Sequence, residues 1–204
     1  MALAETFIQL ALRYTNAATA KKMWDEIALA YSHKNRHYHN LNHLENMYSE
    51  LLGVQHTISD WDTVLLALFY HDAVYSATKK DNEQKSCKMA ISRLREIKYD
   101  TVKTSFCHEL IMATKQHASS SVNDINLFTD ADLSILGKPW AEYEAYCLNV
   151  RKEYSMYPDL LYNPGRKKAL QHFLEMEHIF KTPHFKDRFE AQARKNITQE
   201  IDRL

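Results

Sequence analysis

The chain has 204 residues and equal numbers of basic and acidic side chains, 26 Lys plus Arg against 26 Asp plus Glu. Its length supports one domain with a core of its own, and its charge balance speaks against a generally basic nucleic-acid binder or an acidic tail. Three scattered cysteines (Cys87, Cys107, Cys147) without a CxxC fit free thiols in a reducing compartment better than a disulfide framework.

In chain order, helical periodicity predicts the first two helices over about 4–15 and 19–31. The small residues of "NAATA" at 16–20 resemble a signal cleavage site. Glu5, Gln9 and the absence of a basic n-region count against a secretory signal. No apolar run reaches about 18 residues, so no membrane span and a cytoplasmic protein are expected. Next comes a segment with an unusual residue type: six of the 11 histidines (His33, His37, His39, His43, His56, His71) fall between 33 and 71. Within it, "HLENMYSELLGV" puts Leu44, Met47, Tyr48, Leu51 and Leu52 on one helical stripe. Further helices are predicted over about 60–75, 82–98, 102–117, 140–156, 166–180 and 185–202. Asp81-Asn82-Glu83 reads as a helix start, and Pro164-Gly165 as a turn that opens the next helix. With three glycines, four prolines and no sustained apolar-polar alternation, the fold class is all-α.

One stretch in this pattern needs an explanation. "TVLLALFYHDAVY" carries no charge between Asp62 and His71, then places His71 and Asp72 side by side at the end of an otherwise apolar helix. Burying an unpaired carboxylate costs several kcal/mol or more unless a cation or metal compensates it. His43, one residue before Leu44 and four before Met47, can point inward. Asp130 and Asp132 repeat the anomaly in the apolar run from Ile125 to Leu136. His71 and Asp72 could simply pair with each other or cap the helix. The combined pattern favours one shared ion held by two imidazoles and two carboxylates, a mixed donor set suited to Mn²⁺, Fe²⁺, Co²⁺, Ni²⁺ or Mg²⁺.

In order along the chain, "RHYHNLNHLENM", "FYHDAVYS", "DNEQKS", "ATKQH" and "DADLSILG" resemble the HD-domain superfamily of metal-dependent phosphohydrolases, in particular its bacterial branch of chains of about this length. The resemblance runs from about residue 31 to the C-terminus. It implies a helical core over about 31–138 with a helical extension over about 139–204. It implies His43, His71, Asp72 and Asp132 as metal ligands, Asp132 and not Asp130 matching the motif. It also implies hydrolysis of a phosphomonoester or phosphodiester, nucleotide-like in kind, by water activated on one divalent ion, with Asp72 in the catalytic machinery.

Around these residues stand further candidates. Arg36 offers a planar fork of donors for phosphate, or is a solvated arginine. His39 is placed in the substrate shell, because Asn40 and Asn42 suggest that the helix starts after it. Glu83 could orient or deprotonate water, or could be a carboxylate favoured by a helix N-terminus. Lys115 and His117 end a predicted helix and could reach substrate, as could Arg151 and Arg166 from the extension. Two alternatives remain. The first is a di-iron oxygenase on the same fold, which needs two more histidines where only His108 and His117 are available. The second is a nucleotide-binding module without turnover.

Overall fold

Why α4 (Trp61–Tyr70) lies at the centre follows from its composition: it is apolar on every side, and every residue from Thr63 to Tyr70 is buried. The computed structural model describes residues 3–204 and holds, among them, ten α-helices and no strand. The all-α reading is therefore borne out. The other helices are α1 (Leu3–Ala11), α2 (Ala17–Tyr31), α3 (Leu41–Gly53), α5 (Asn82–Glu96), α6 (Thr101–Ala113), α7 (Asn123–Leu133), α8 (Trp140–Glu153), α9 (Asp159–Glu175) and α10 (Pro183–Ile201). No described helix is long and apolar enough to cross a membrane.

Helices α1, α3, α5, α6 and α7 all pack against α4. Phe7 and Phe69 meet edge to face at 5.0 Å, and a continuous apolar cluster runs from Leu3 to Ile197. Each fully buried Leu or Phe in it contributes about 1.5–3 kcal/mol. Short polar caps set the helix starts: Asn16 accepts from Thr19 N, Asn40 from Asn42 N, Asp60 from Thr63 N and Asp100 from Lys103 N. The stretch that resembled a cleavage site is thus the first turn of α2. Cys87 and Cys107 are buried free thiols and Cys147 is a half-buried one.

Three predicted boundaries are corrected. The helix expected over 60–75 ends at Tyr70, because tertiary partners take the backbone beyond it: Asp72 N donates to the Tyr31 hydroxyl, and Arg36 takes the Asp72 and Ala73 carbonyls. The helix expected to reach 117 ends at Ala113, where the Thr114 hydroxyl turns back to the Ile111 carbonyl. Lys115 and His117 therefore sit in a loop, His117 with a left-handed φ of 51°. Pro164-Gly165 opens no helix, since α9 starts at Asp159 and runs through both. The carbonyl that Pro164 leaves without a partner belongs to Leu160, which is 84 % exposed and open to water.

The C-terminal segment is fastened by two carboxylates, one buried (Asp130) and one half-buried (Glu190). Asp130, on α7, accepts from Lys181 N, Thr182 N and the Thr182 hydroxyl just before α10, and Glu190 accepts from Ile179 N and Phe180 N. Helix α10 lies so close to the turn after α7 that a Cβ on Gly137 would sit 2.7 Å from the Phe189 carbonyl oxygen.

Candidate metal centre

Three elements converge at the buried end of α4. His43 comes from the first turn of α3, His71 and Asp72 follow α4 directly, and Asp132 comes from the last turn of α7. His43 Nε2 lies 3.1 Å from His71 Nε2 and 3.2 Å from Asp132 Oδ1. Asp72 Oδ2 is 3.3 Å from His71 Nε2 and 3.8 Å from His43 Nε2. Among the described residues, His43, His71 and Asp132 form the one group whose ligand atoms all approach each other closely enough for a shared ion, and Asp72 stands at its edge.

These separations fit a divalent ion. Donors about 2.1 Å from a metal in an octahedral arrangement are about 3.0 Å apart along an edge and about 4.2 Å apart across the ion, and the separations here run from 3.1 to 3.8 Å. The tautomer of His71 fits as well. Its Nδ1 lies 2.8 Å from the Leu68 carbonyl, which can only accept, so a neutral imidazole presents its Nε2 lone pair to the cluster. His117 Nε2 meets the second oxygen of Asp132 at 2.8 Å and holds the carboxylate in place.

The electrostatics follow from four ionisable groups in a small buried volume. Burial disfavours a charged His71, but the Asp72 carboxylate and then Asp132 outweigh it and raise its pKa to about 9. Burial would raise the Asp72 pKa, yet His71 beside it brings it below the usual carboxylate range. Asp132 follows the same logic, held well below that range against burial by hydrogen bonds from His117 and His43.

A second buried unit flanks the cluster. His39 Nδ1 meets Glu153 Oε2 at 2.6 Å, Tyr75 donates to the same oxygen, and Tyr38 N and His39 N donate to Oε1. The ring of His39 stacks on Tyr75 at 4.1 Å and stands edge-on to His43 at 5.9 Å. Burial lowers the His39 pKa, but the Glu153 hydrogen bond and nearby carboxylates reverse this and leave it above the ordinary value. Glu153 itself, despite burial, is brought down to about 2, chiefly by His39.

The remaining candidates divide. Arg36 donates to the His39, Asp72 and Ala73 carbonyls and lies between the rings of Tyr31 and Tyr75. Its fork is engaged by the backbone around the ligand pair and not directed to open space. Arg151 clamps Asp159 and the Tyr154 and Tyr157 carbonyls, and Arg166 grips Glu200 through two nitrogens beneath the Tyr146 hydroxyl. Both fasten the C-terminal helices and neither reaches the cluster. Lys115 Nζ donates to the Lys80 carbonyl and lies 3.9 Å from Glu83 Oε2, an oxygen that is buried and has no hydrogen-bond partner. Asp130 faces away, toward residues 181 and 182.

Sequence reasoning missed Glu153, although a signal was present. Tyr143, Val150 and Glu153 lie on the buried stripe of α8, so a carboxylate stood at a core position. It also missed Tyr31 and Tyr75, which nothing in their sequence context singles out.

No protein-family model, curated protein or solved structure matches the chain. Fold and site together define an all-α protein in which, among the described residues, two buried imidazoles (His43 and His71) and the half-buried Asp132 carboxylate form a group that could hold a metal ion.

Proposed function

We propose that the chain is a metal-dependent phosphohydrolase of the HD-domain kind, acting on a small phosphomonoester or phosphodiester. The observation that carries this reading is the approach of His43, His71, Asp72 and Asp132, which come from distant parts of the chain, with nitrogen and oxygen atoms at ligand-to-ligand spacing. The resemblance of their motifs to that superfamily supplies the reaction class.

His43, His71, Asp72 and Asp132 would hold one divalent ion. Bound there, it supplies Lewis acidity that polarises a phosphoryl oxygen and makes water more acidic. The chain's own groups do the rest. The Leu68 carbonyl keeps the His71 lone pair facing inward, and His117 keeps Asp132 from rotating. Arg36 fixes the backbone that carries Asp72. Glu153 holds His39 by Nδ1, so its Nε2 is the nitrogen available to hydrogen-bond a substrate oxygen and hand a proton to the departing alkoxide. The single-ion reading is preferred over a two-iron oxygenase because, of the two histidines between the His71-Asp72 pair and Asp132, His108 is exposed and His117 alone reaches the cluster.

Metal analysis of the purified protein, followed by a screen of phosphoesters with each candidate ion, tests the proposal. One ion per chain and ion-dependent phosphate release are expected. Failure to bind any of the five ions would overturn it, and iron with an oxygen-dependent product would transfer the site to the oxygenase class.

A further inference from the structure

Helix α8 buries one side against the body of the protein and leaves the other uncovered. Tyr143, Val150 and Glu153 face inward, whereas Ala141, Glu142, Ala145, Leu148 and Lys152 are exposed. At about 100° per residue these five fall within an arc of about 120°, so they form one continuous stripe. Leu148, 60 % exposed, is the large apolar residue on it. Beside it Arg151 holds Asp159 of α9, and next to Asp159 stands Leu160, 84 % exposed. With Met156 and Leu161, four of the nine large apolar side chains exposed among the described residues fall within residues 148–161. Single exposed leucines are ordinary, but a concentration of this kind marks an interaction surface.

The charges on the stripe indicate what fits there. Glu144 is engaged by Arg203 and Arg151 by Asp159, which leaves Glu142 and Lys152, among the described residues, as the exposed charges of α8 without an ion-pair partner. They have opposite signs and lie about 15 Å apart along the axis. A second copy of α8 laid antiparallel, with a two-fold axis level with residue 147, puts Glu142 of each copy opposite the partner's Lys152. The same placement brings Leu148, about 1.5 Å from the level of the axis, against its own counterpart. Ala145 near the centre lets the two backbones approach. Parallel apposition would set like charges together. An exposed ion pair adds little affinity, so the apolar contact supplies the attraction and the charges set the direction.

We propose that the exposed face of α8, with Leu160 beside it, is the contact of a symmetric homodimer in which two copies of α8 lie antiparallel about residue 147. A contact that uses the same patch on both copies closes as a two-fold pair. It depends neither on ion binding nor on the hydrolytic reading.

Sedimentation equilibrium of the full chain in chelator, from micromolar to millimolar concentration, tests the contact. A reversible monomer–dimer equilibrium is expected. Leu148→Glu and Lys152→Glu, both at exposed positions that leave the helical circular dichroism unchanged, should each weaken it, the first at least tenfold. Adding Glu142→Lys to Lys152→Glu should restore it, because the pair re-forms with its signs exchanged. A monomer at every concentration, which would leave the face to some other partner, overturns the proposal, as does growth into species larger than a dimer. So does a dimer that either single change leaves intact, or a loss in Lys152→Glu that Glu142→Lys does not recover.

Discussion

Asp130 and Asp132 are two residues apart on α7 and about 200° apart around its axis, so replacing each by asparagine should have different consequences for ion binding. Asp130 is fully buried and receives two backbone N–H groups and a hydroxyl at 2.8–3.0 Å. Asparagine there removes the charge and turns an NH₂ toward donors. Hydrogen bonds to a charged group are worth about 1.5–3 kcal/mol each and are not additive, so the loss should be about 3–5 kcal/mol. For a chain of this size that lowers Tm by roughly 6–20 °C, and ion affinity should change little. Asp132→Asn should also lower Tm of the ion-free protein, because it weakens the hydrogen bonds from His117 and His43, but its main effect should be to weaken ion binding more than 100-fold, about 2.7 kcal/mol, since it removes a direct ligand. Scanning calorimetry in chelator and calorimetric titration with Mn²⁺ or Co²⁺ measure the two effects separately. Equal losses of ion affinity from both changes, or a larger loss from Asp130→Asn at unchanged Tm, would refute the assignment.

His71→Ala should bind no ion at concentrations that saturate the wild type. Chelator should then lower Tm only in the wild type, by an amount set by about 2.7 kcal/mol when ion stands at 100 times its Kd; a variant that keeps one ion per chain sinks this. Glu153→Gln should cost up to about 3 kcal/mol above pH 5. Because the folded Glu153 pKa is depressed from 4.5 to about 2, its contribution is present above the unfolded value and fades as pH falls through that window. Urea melts of both proteins between pH 3 and 7 should show the gap closing in acid, and a constant gap would argue against it. Arg36→Lys keeps the charge but loses the fork that holds three carbonyls, for an expected loss of about 2–4 kcal/mol in stability and a parallel fall in ion affinity. Unchanged melting and ion binding with a lower kcat/KM would return Arg36 to the substrate phosphate.

The amino-acid sequence by itself determined the helical class and the position of α4, because periodicity and an unbroken apolar run are local properties. It also exposed His43, His71, Asp72 and the pair at 130 and 132, because an ionisable group inside an apolar stretch is conspicuous without any knowledge of its partner. The partners were decided in three dimensions. Arg36, Arg151 and Arg166 have the composition of anion sites, yet each guanidinium is taken by carbonyls or carboxylates, some of them more than 30 residues away. Lys115 and His117 read as a helix end, and the Thr114 hydroxyl, together with a left-handed backbone at His117, placed them in a loop. Glu153 could be suspected from its place on a buried stripe, but its grip on His39, 114 residues earlier, could not. Periodicity reports which face of a helix is inside; which side chains meet there depends on how the helices are laid against one another, and that arrangement follows from packing the whole core.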